Sequence, residues 1–210
     1  MALSTLQKKQ IVGVTGLVMV GFVLAHLSGN FLIFKGAESY NGYAEFLESL
    51  GALLWVARIG LIVSFVLHMA FTINLVIINR KARNSRYYAY QNHRNESSLA
   101  TRLMPLTGTV IFLYIVFHLL DFTFADKSGI PDGLFGLVVK TLGSPIHSMM
   151  YIVAMVCVGL HMFHAFQSVF QTFGVMSANN QVAITRVSRA LGVLVAIAFS
   201  SIPLYILITF

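Results

Sequence analysis

Five of the seven histidines, His26, His68, His118, His161 and His164, stand inside long apolar stretches. A neutral imidazole is a good ligand for a transition metal, and an unsatisfied one in hydrocarbon costs free energy. One such residue is readily explained by a bond to a neighbouring carbonyl. One on each of four successive apolar segments calls for a common partner. His147 lies at the start of the fourth segment, and His93 falls in a basic connection.

The segments that carry them are too long and too uniform for a soluble core. The chain has 210 residues, 57% hydrophobic and 10% charged, with a mean hydropathy of +0.80. A soluble domain carries roughly 25% charged residues. Apolar runs at about 11–34, 53–79, 103–124, 147–172 and 187–208 each reach the ~20 residues that cross a hydrocarbon core. The expected fold is an all-α membrane protein, a bundle of five transmembrane helices forming one domain over residues 1–210. No cleavable leader is apparent, since the first run is longer than an h-region and contains His26 and Asn30. The single Cys157 lies in an apolar run, so it forms no disulfide within the chain. No internal repeat is expected.

Basic residues set the orientation. Lys8, Lys9, Arg80, Lys81, Arg83, Arg86, Arg94, Arg102, Arg186 and Arg189 fall on one side; Lys35, Arg58, Lys127 and Lys140 fall on the other. The N-terminus is therefore expected in the cytoplasm and the C-terminus outside. The net charge of +7 reads as basic cytoplasmic loops, not as a nucleic-acid surface.

With alternating helix directions, the histidines sort by depth. His26, His68, His118 and His161 lie about 14–15 residues into their own spans, or ~22 Å from each start at 1.5 Å per residue. His26 and His118 then share a level near the outer face, and His68 and His161 a level nearer the cytoplasm, ~14 Å apart in a ~30 Å core. Four ligands at two depths cannot share one zinc ion. Two stacked pairs fit two b-type haems with bis-histidine ligation, and a C-x-x-C-H attachment for c-type haem is absent. Ser28, Gly29, Gly108 and Gly159 lie near the ligands, where a porphyrin would need bare backbone, although small residues also serve helix packing.

Across its whole length the chain resembles the dihaem cytochrome b membrane anchor of succinate:quinone oxidoreductases (succinate dehydrogenase and quinol:fumarate reductase), in its single-polypeptide, five-helix form. The resemblance rests on H-L-S-G-N (His26–Asn30), G-A-E-S-Y-N (Gly36–Asn41), V-L-H ending at His68, F-H-L-L-D-F around His118, and L-H-M-F-H-A-F-Q-S-V-F from Leu160 to Phe170. It implies that His26 and His118 hold the distal haem and His68 and His161 the proximal one. It also implies an FAD-containing flavoprotein subunit, an iron–sulfur subunit, a bacterial inner membrane, and a membrane quinone, menaquinone, as substrate. A dimer of the heterotrimeric complex is compatible with it. Span four departs from the pattern in holding two histidines, and the A-F-Q-S segment favours His161 over His164. The chain itself has neither the cysteines for an iron–sulfur cluster nor a G-x-G-x-x-G opening a strand–helix unit. The basic loop with Tyr87, Tyr88 and Tyr90 is the expected docking surface for the soluble subunits.

Other residues have weaker claims. Arg58, ten residues before His68, is expected to meet a haem propionate or to snorkel to the outer interface. Arg102 and His164 are placed near the proximal haem, His164 where a propionate or quinone headgroup would lie. Glu48, with Glu45 behind it, is the expected proton acceptor for a quinol at the outer face. Asp121, three residues after His118, is expected to form a hydrogen bond near the distal haem. Trp55 and Tyr114 read as interfacial or packing residues. Two other readings compete: the cytochrome b subunit of a membrane-bound hydrogenase or formate dehydrogenase, and a transporter with a histidine proton relay. The latter would more often show mid-membrane acids, which these spans lack.

Overall fold

The computed structural model describes residues 3–82 and 99–210, the side chains of 99–102 excepted. Among the described residues the chain is helical, without strands. The helices are α1 (Thr5–Asn30), α2 (Ala37–Ser49), α3 (Ala52–Lys81), α4 (Leu99–Phe122), α5 (Gly133–Leu142), α6 (Pro145–Thr172) and α7 (Gln181–Thr209), with a 3-10 turn at Phe31–Lys35. Five segments are long and apolar enough to cross a membrane: Thr5–Lys35, Ala52–Lys81, Leu103–Phe122, Pro145–Thr172 and Gln181–Thr209. They coincide with the five expected spans to within a few residues, except that the first and the last each begin six residues earlier.

Local chemistry sets the ends. Ser4 and Gln7 close a reciprocal capping box: the Ser4 hydroxyl accepts from the Gln7 backbone N–H at 3.2 Å, and the Gln7 side chain accepts from Ser4 N–H at 2.8 Å. Pro145 opens α6, where its missing N–H is not needed. Pro105 and Pro203 lie inside α4 and α7, an arrangement membrane helices tolerate when neighbouring groups take up the freed carbonyls. One turn after Pro105, the Thr109 hydroxyl donates to the Pro105 carbonyl at 2.9 Å.

The central helix is α6, packed on α1, α4 and α7, while α3 lies on α1. Lys8 near the start of α1 donates to Asn74 near the end of α3 at 2.8 Å, which shows these two running in opposite directions. The outer surface of the bundle is apolar. On α3 alone Leu53, Val56, Ile59, Ile62, Val63, Val66, Ile73 and Ile77 are exposed, a surface that water would not tolerate and lipid would.

Two helices were not expected. The 35–52 and 125–146 connections read as polar or glycine-broken, yet they hold α2 and α5. In α5 the breakers Pro131 and Gly133 precede or open the helix and Gly143 follows it, while Phe135, Val138 and Leu142 make a buried stripe at helical spacing. At ten residues it is too short to cross a membrane. It tucks against the ends of α6 and α7, and the main packed core, with Ile33, Tyr40, Phe135, Val138, Leu142, Tyr151, Ile202 and Ile206, sits there. The bundle thus has one capped face, made by α2 and α5, opposite the face at which the chain begins.

Candidate functional site

Four of the expected site histidines fall into two pairs. Toward the capped face, the His26 ring of α1 and the His118 ring of α4 have centroids 5.8 Å apart with perpendicular planes. Aromatic rings surround them. Phe22 stacks on His26 at 5.3 Å and Phe199 of α7 lies 6.1 Å from it. Tyr114, Phe122 and Tyr151 lie 5.6, 5.3 and 6.1 Å from His118. His118 Nδ1 is buried with no hydrogen-bond partner among the described residues.

Toward the opposite face, His68 of α3 and His161 of α6 lie within electrostatic range of each other. Each is held by a threonine–glycine pair on a neighbouring helix. Thr15 of α1 approaches His68 Nδ1 at 3.3 Å, and Thr107 of α4 approaches His161 Nδ1 at 3.3 Å. A β-carbon at Gly16 would lie 3.4 Å from the His68 ring, and one at Gly108 would lie 3.5 Å from the His161 ring. Both threonines are buried, and both hydroxyls donate to carbonyls of their own helix: Ile11 at 2.7 Å for Thr15, Leu103 at 3.1 Å for Thr107.

The two arrangements are copies of one another. Thr15 and Thr107 precede His26 and His118 by eleven residues each, with an aromatic residue, Phe22 or Tyr114, one turn before each histidine. The absence of an internal repeat is therefore corrected at the level of the site. Helices α1 and α4 carry the same T-G-x9-H pattern, each supplying one histidine and cradling the histidine of the next long helix. Sequence reading missed it because it recurs once, 92 positions apart, among apolar residues that vary freely. The same register measures depth. Eleven residues at 1.5 Å each put the two levels about 16 Å apart along the helices, near the expected separation.

Small residues near the histidines resolve into different tasks. Gly108, expected near His118, faces His161 instead. Gly159 faces α7, where a β-carbon would lie 2.5 Å from the Gly192 carbonyl oxygen, so it serves helix packing. Gly29 faces the Tyr43 ring of α2, and the Ser28 hydroxyl donates to the Ala25 carbonyl at 2.7 Å.

The polar residues of the first two quoted stretches join the cap to the histidine level. Asn30 donates to the His26 carbonyl at 2.8 Å and accepts from the Tyr40 hydroxyl at 3.1 Å. Asn41 donates to the Asp132 carbonyl at 2.8 Å and accepts from the Phe135 N–H at 3.0 Å, capping α5 from a different helix. Burial pushes the Tyr40 hydroxyl up to about 12, so it remains a donor.

The remaining site expectations are placed as follows. The Tyr151 hydroxyl donates to Asp121 at 2.8 Å, so Asp121 is joined to a ring that borders His118. Arg58 is exposed, with its guanidinium 5.1 Å from the Trp55 ring centre. Glu45 and Glu48 are exposed on α2 on the capped side. His164 is half-buried one turn beyond His161 and within electrostatic range of it. Arg83, Arg86, Tyr87, Tyr88, Tyr90, His93 and Arg94, with the side chain of Arg102, lie outside the described residues.

With this geometry in view, the chain is similar to the succinate dehydrogenase cytochrome b558 subunit of Bacillus subtilis (strain 168). The two are 23% identical over 197 residues, covering 93% of this chain and 92% of that protein. No protein-family model and no solved structure matches the chain. At that coverage the similarity concerns nearly the whole chain and not one segment.

Chemically, the site offers imidazoles in opposed pairs and not as a polydentate cage. Among the described residues no three His, Cys, Asp or Glu side chains converge as a metal-ion site. Metal–imidazole bonds are about 2 Å, so two rings joined through one metal atom have centres about 6 Å apart. The 5.8 Å between His26 and His118 fits that arrangement.

Proposed function

We propose that the chain is the membrane-anchor cytochrome b subunit of a succinate:quinone oxidoreductase, holding two b-type haems between its helices. The observation that carries this reading is the sorting of four imidazoles into two pairs on four long helices, His26 with His118 and His68 with His161. The near full-length similarity to a succinate dehydrogenase cytochrome b558 subunit supports it.

In this reading His26 and His118 would hold the distal haem, and His68 and His161 the proximal one. Held between two imidazoles, each haem would supply one-electron transfer with no position left for oxygen. The chain's own residues keep the levels apart, exclude water with apolar and aromatic side chains, and orient the imidazoles. The face at which the chain begins is the cytoplasmic one. There Lys8, Lys9, Arg80, Lys81, Arg186 and Arg189, with the basic 83–102 segment, meet the iron–sulfur and flavoprotein subunits. The capped face is outside. There a quinone, menaquinone in this proposal, exchanges electrons with the distal level, and Glu48 accepts a proton from its reduced form. Arg58 and His164 are proposed contacts of propionates or quinone.

A reduced-minus-oxidised spectrum of the purified complex tests the reading. A b-type α-band is expected, with haem content near two per chain. Absence of that band overturns it. Replacing His68 or His161 is expected to remove one haem and leave the other.

A further inference from the structure

Resting on that reading, we propose that Thr15 and Thr107 are positioning residues that fix the protonation pattern of the two proximal histidines, presenting Nε2 of His68 and His161 to the iron.

The argument starts from the direction of the hydrogen bonds. A buried threonine in a helix has one proton to give. Thr15 gives it to the Ile11 carbonyl at 2.7 Å, and Thr107 to the Leu103 carbonyl at 3.1 Å or the Met104 carbonyl at 3.2 Å. What each hydroxyl turns toward the neighbouring imidazole is therefore a lone pair. A nitrogen 3.3 Å from that lone pair is satisfied only if it carries the proton, so Nδ1 of each ring is the N–H. The Val12 carbonyl, 3.1 Å from His68 Nδ1, demands the same. In a neutral imidazole the other nitrogen, Nε2, then bears the lone pair that a metal requires.

Geometry reinforces chemistry. The glycine beside each threonine lets the imidazole lie against bare helix, and the threonine and glycine recur with the same spacing in α1 and α4. A threonine present only to satisfy its own helix would have no reason to recur where each helix meets a proximal histidine. His118 lacks this device: its Nδ1 is buried without a partner among the described residues. His68 and His161 are thus more basic ligands than His118, because an acceptor on Nδ1–H raises ligand basicity and stabilises the oxidised iron.

The two threonines are not equal. His68 keeps the Val12 carbonyl when Thr15 is lost. Among the described residues His161 Nδ1 has Thr107 as its hydrogen-bond partner. Thr107→Val is therefore expected to raise the proximal haem potential, Thr15→Val to raise it less, and neither to move the distal one. Redox titration followed optically, with low-spin electron paramagnetic resonance of each haem, reads this in the intact complex. Thr107→Ser keeps the hydroxyl and is expected to restore the wild-type potential and spectrum. An unchanged proximal potential in Thr107→Val with both haems bound overturns the proposal. Loss of the proximal haem in Thr107→Val supports it if Thr107→Ser restores that haem, and overturns it if Thr107→Ser does not. A wild-type protein without any b-type signal would overturn the functional reading itself, which is a separate result.

Discussion

Gly159 of α6 and Gly192 of α7 meet backbone to backbone, each occupying the space that a side chain on the other would need. The contact lies two residues before His161, so the packing of the last span is tied to the helix that carries a proximal histidine. Gly159→Ala places a methyl group 2.5 Å from the Gly192 carbonyl oxygen, which cannot move without its helix. Overpacking of this kind costs about 1–3 kcal/mol. A lowered melting temperature of the detergent-solubilised protein is expected, along with partial loss of haem. Gly21 and Gly60 have nothing within 4 Å of the added carbon, so Gly21→Ala and Gly60→Ala serve as controls with no loss of stability.

Asn41 presents a second test, because it caps a helix that is remote in sequence. Its side chain satisfies Phe135 N–H and holds the Asp132 carbonyl at the entrance to α5. Loss of a cap costs about 0.5–2 kcal/mol. Asn41→Ala is expected to raise hydrogen exchange of the first-turn amides of α5 while leaving those of mid-α6 protected. Tyr40→Phe should loosen the same cap by about 1 kcal/mol through its lost bond to Asn30. Burial holds the Tyr40 hydroxyl above its unfolded value. Its contribution is therefore full below about pH 10 and is lost as pH rises toward about 12. Between pH 6 and 9 the cost of Tyr40→Phe should not vary.

These cases show what was legible in the sequence. The spans were, because hydrocarbon thickness fixes a minimum apolar length and nothing else in the chain imitates it. The grouping of His26 with His118 followed from helix direction alone, and the 5.8 Å ring separation agrees with it. Helices α2 and α5 were not legible. Their glycines and charges resemble loop composition, and the signals that hold them, such as Asn41 on Phe135, act across about ninety residues. The threonines at 15 and 107 were hidden for a related reason. A hydroxyl bonded within its own helix looks like any other, and its task appears only when the facing imidazole is known.

Pairing by level makes a prediction that pairing by sequence order would not. His26→Ala and His118→Ala are expected to remove the same haem, and His68→Ala and His161→Ala the other. Each single variant keeps about half the wild-type haem, and the double variant His26→Ala/His118→Ala keeps no less than either alone. His164→Ala should retain both haems, since Thr107 and Gly108 engage His161. Pyridine haemochrome content per chain, with the spectrum of the remaining haem, measures this directly. If His164→Ala lost a haem and His161→Ala did not, the ligand assignment in α6 would be reversed.

The Asp121–Tyr151 pair gives a sign test for the distal level. Asp121 accepts the Tyr151 hydroxyl proton at 2.8 Å, and the Tyr151 ring lies 6.1 Å from His118. A carboxylate close to a haem stabilises its oxidised, more positive form and so lowers its potential. In a medium of low dielectric that influence is strong nearby and weaker across the ~16 Å separating the levels. Asp121→Asn keeps an oxygen for Tyr151 and removes the charge, so the distal potential should rise and the proximal one should move much less. Tyr151→Phe keeps the charge and removes its hydrogen-bond donor. That leaves the carboxylate less shared, and the distal potential should fall. Opposite shifts from two substitutions in one hydrogen bond cannot come from general loosening of the bundle, which would move both haems in the same sense. Redox titration of both variants, with the proximal haem as internal reference, separates these outcomes. Shifts of equal size at both levels would mean that Asp121 acts on the fold and not on the distal site.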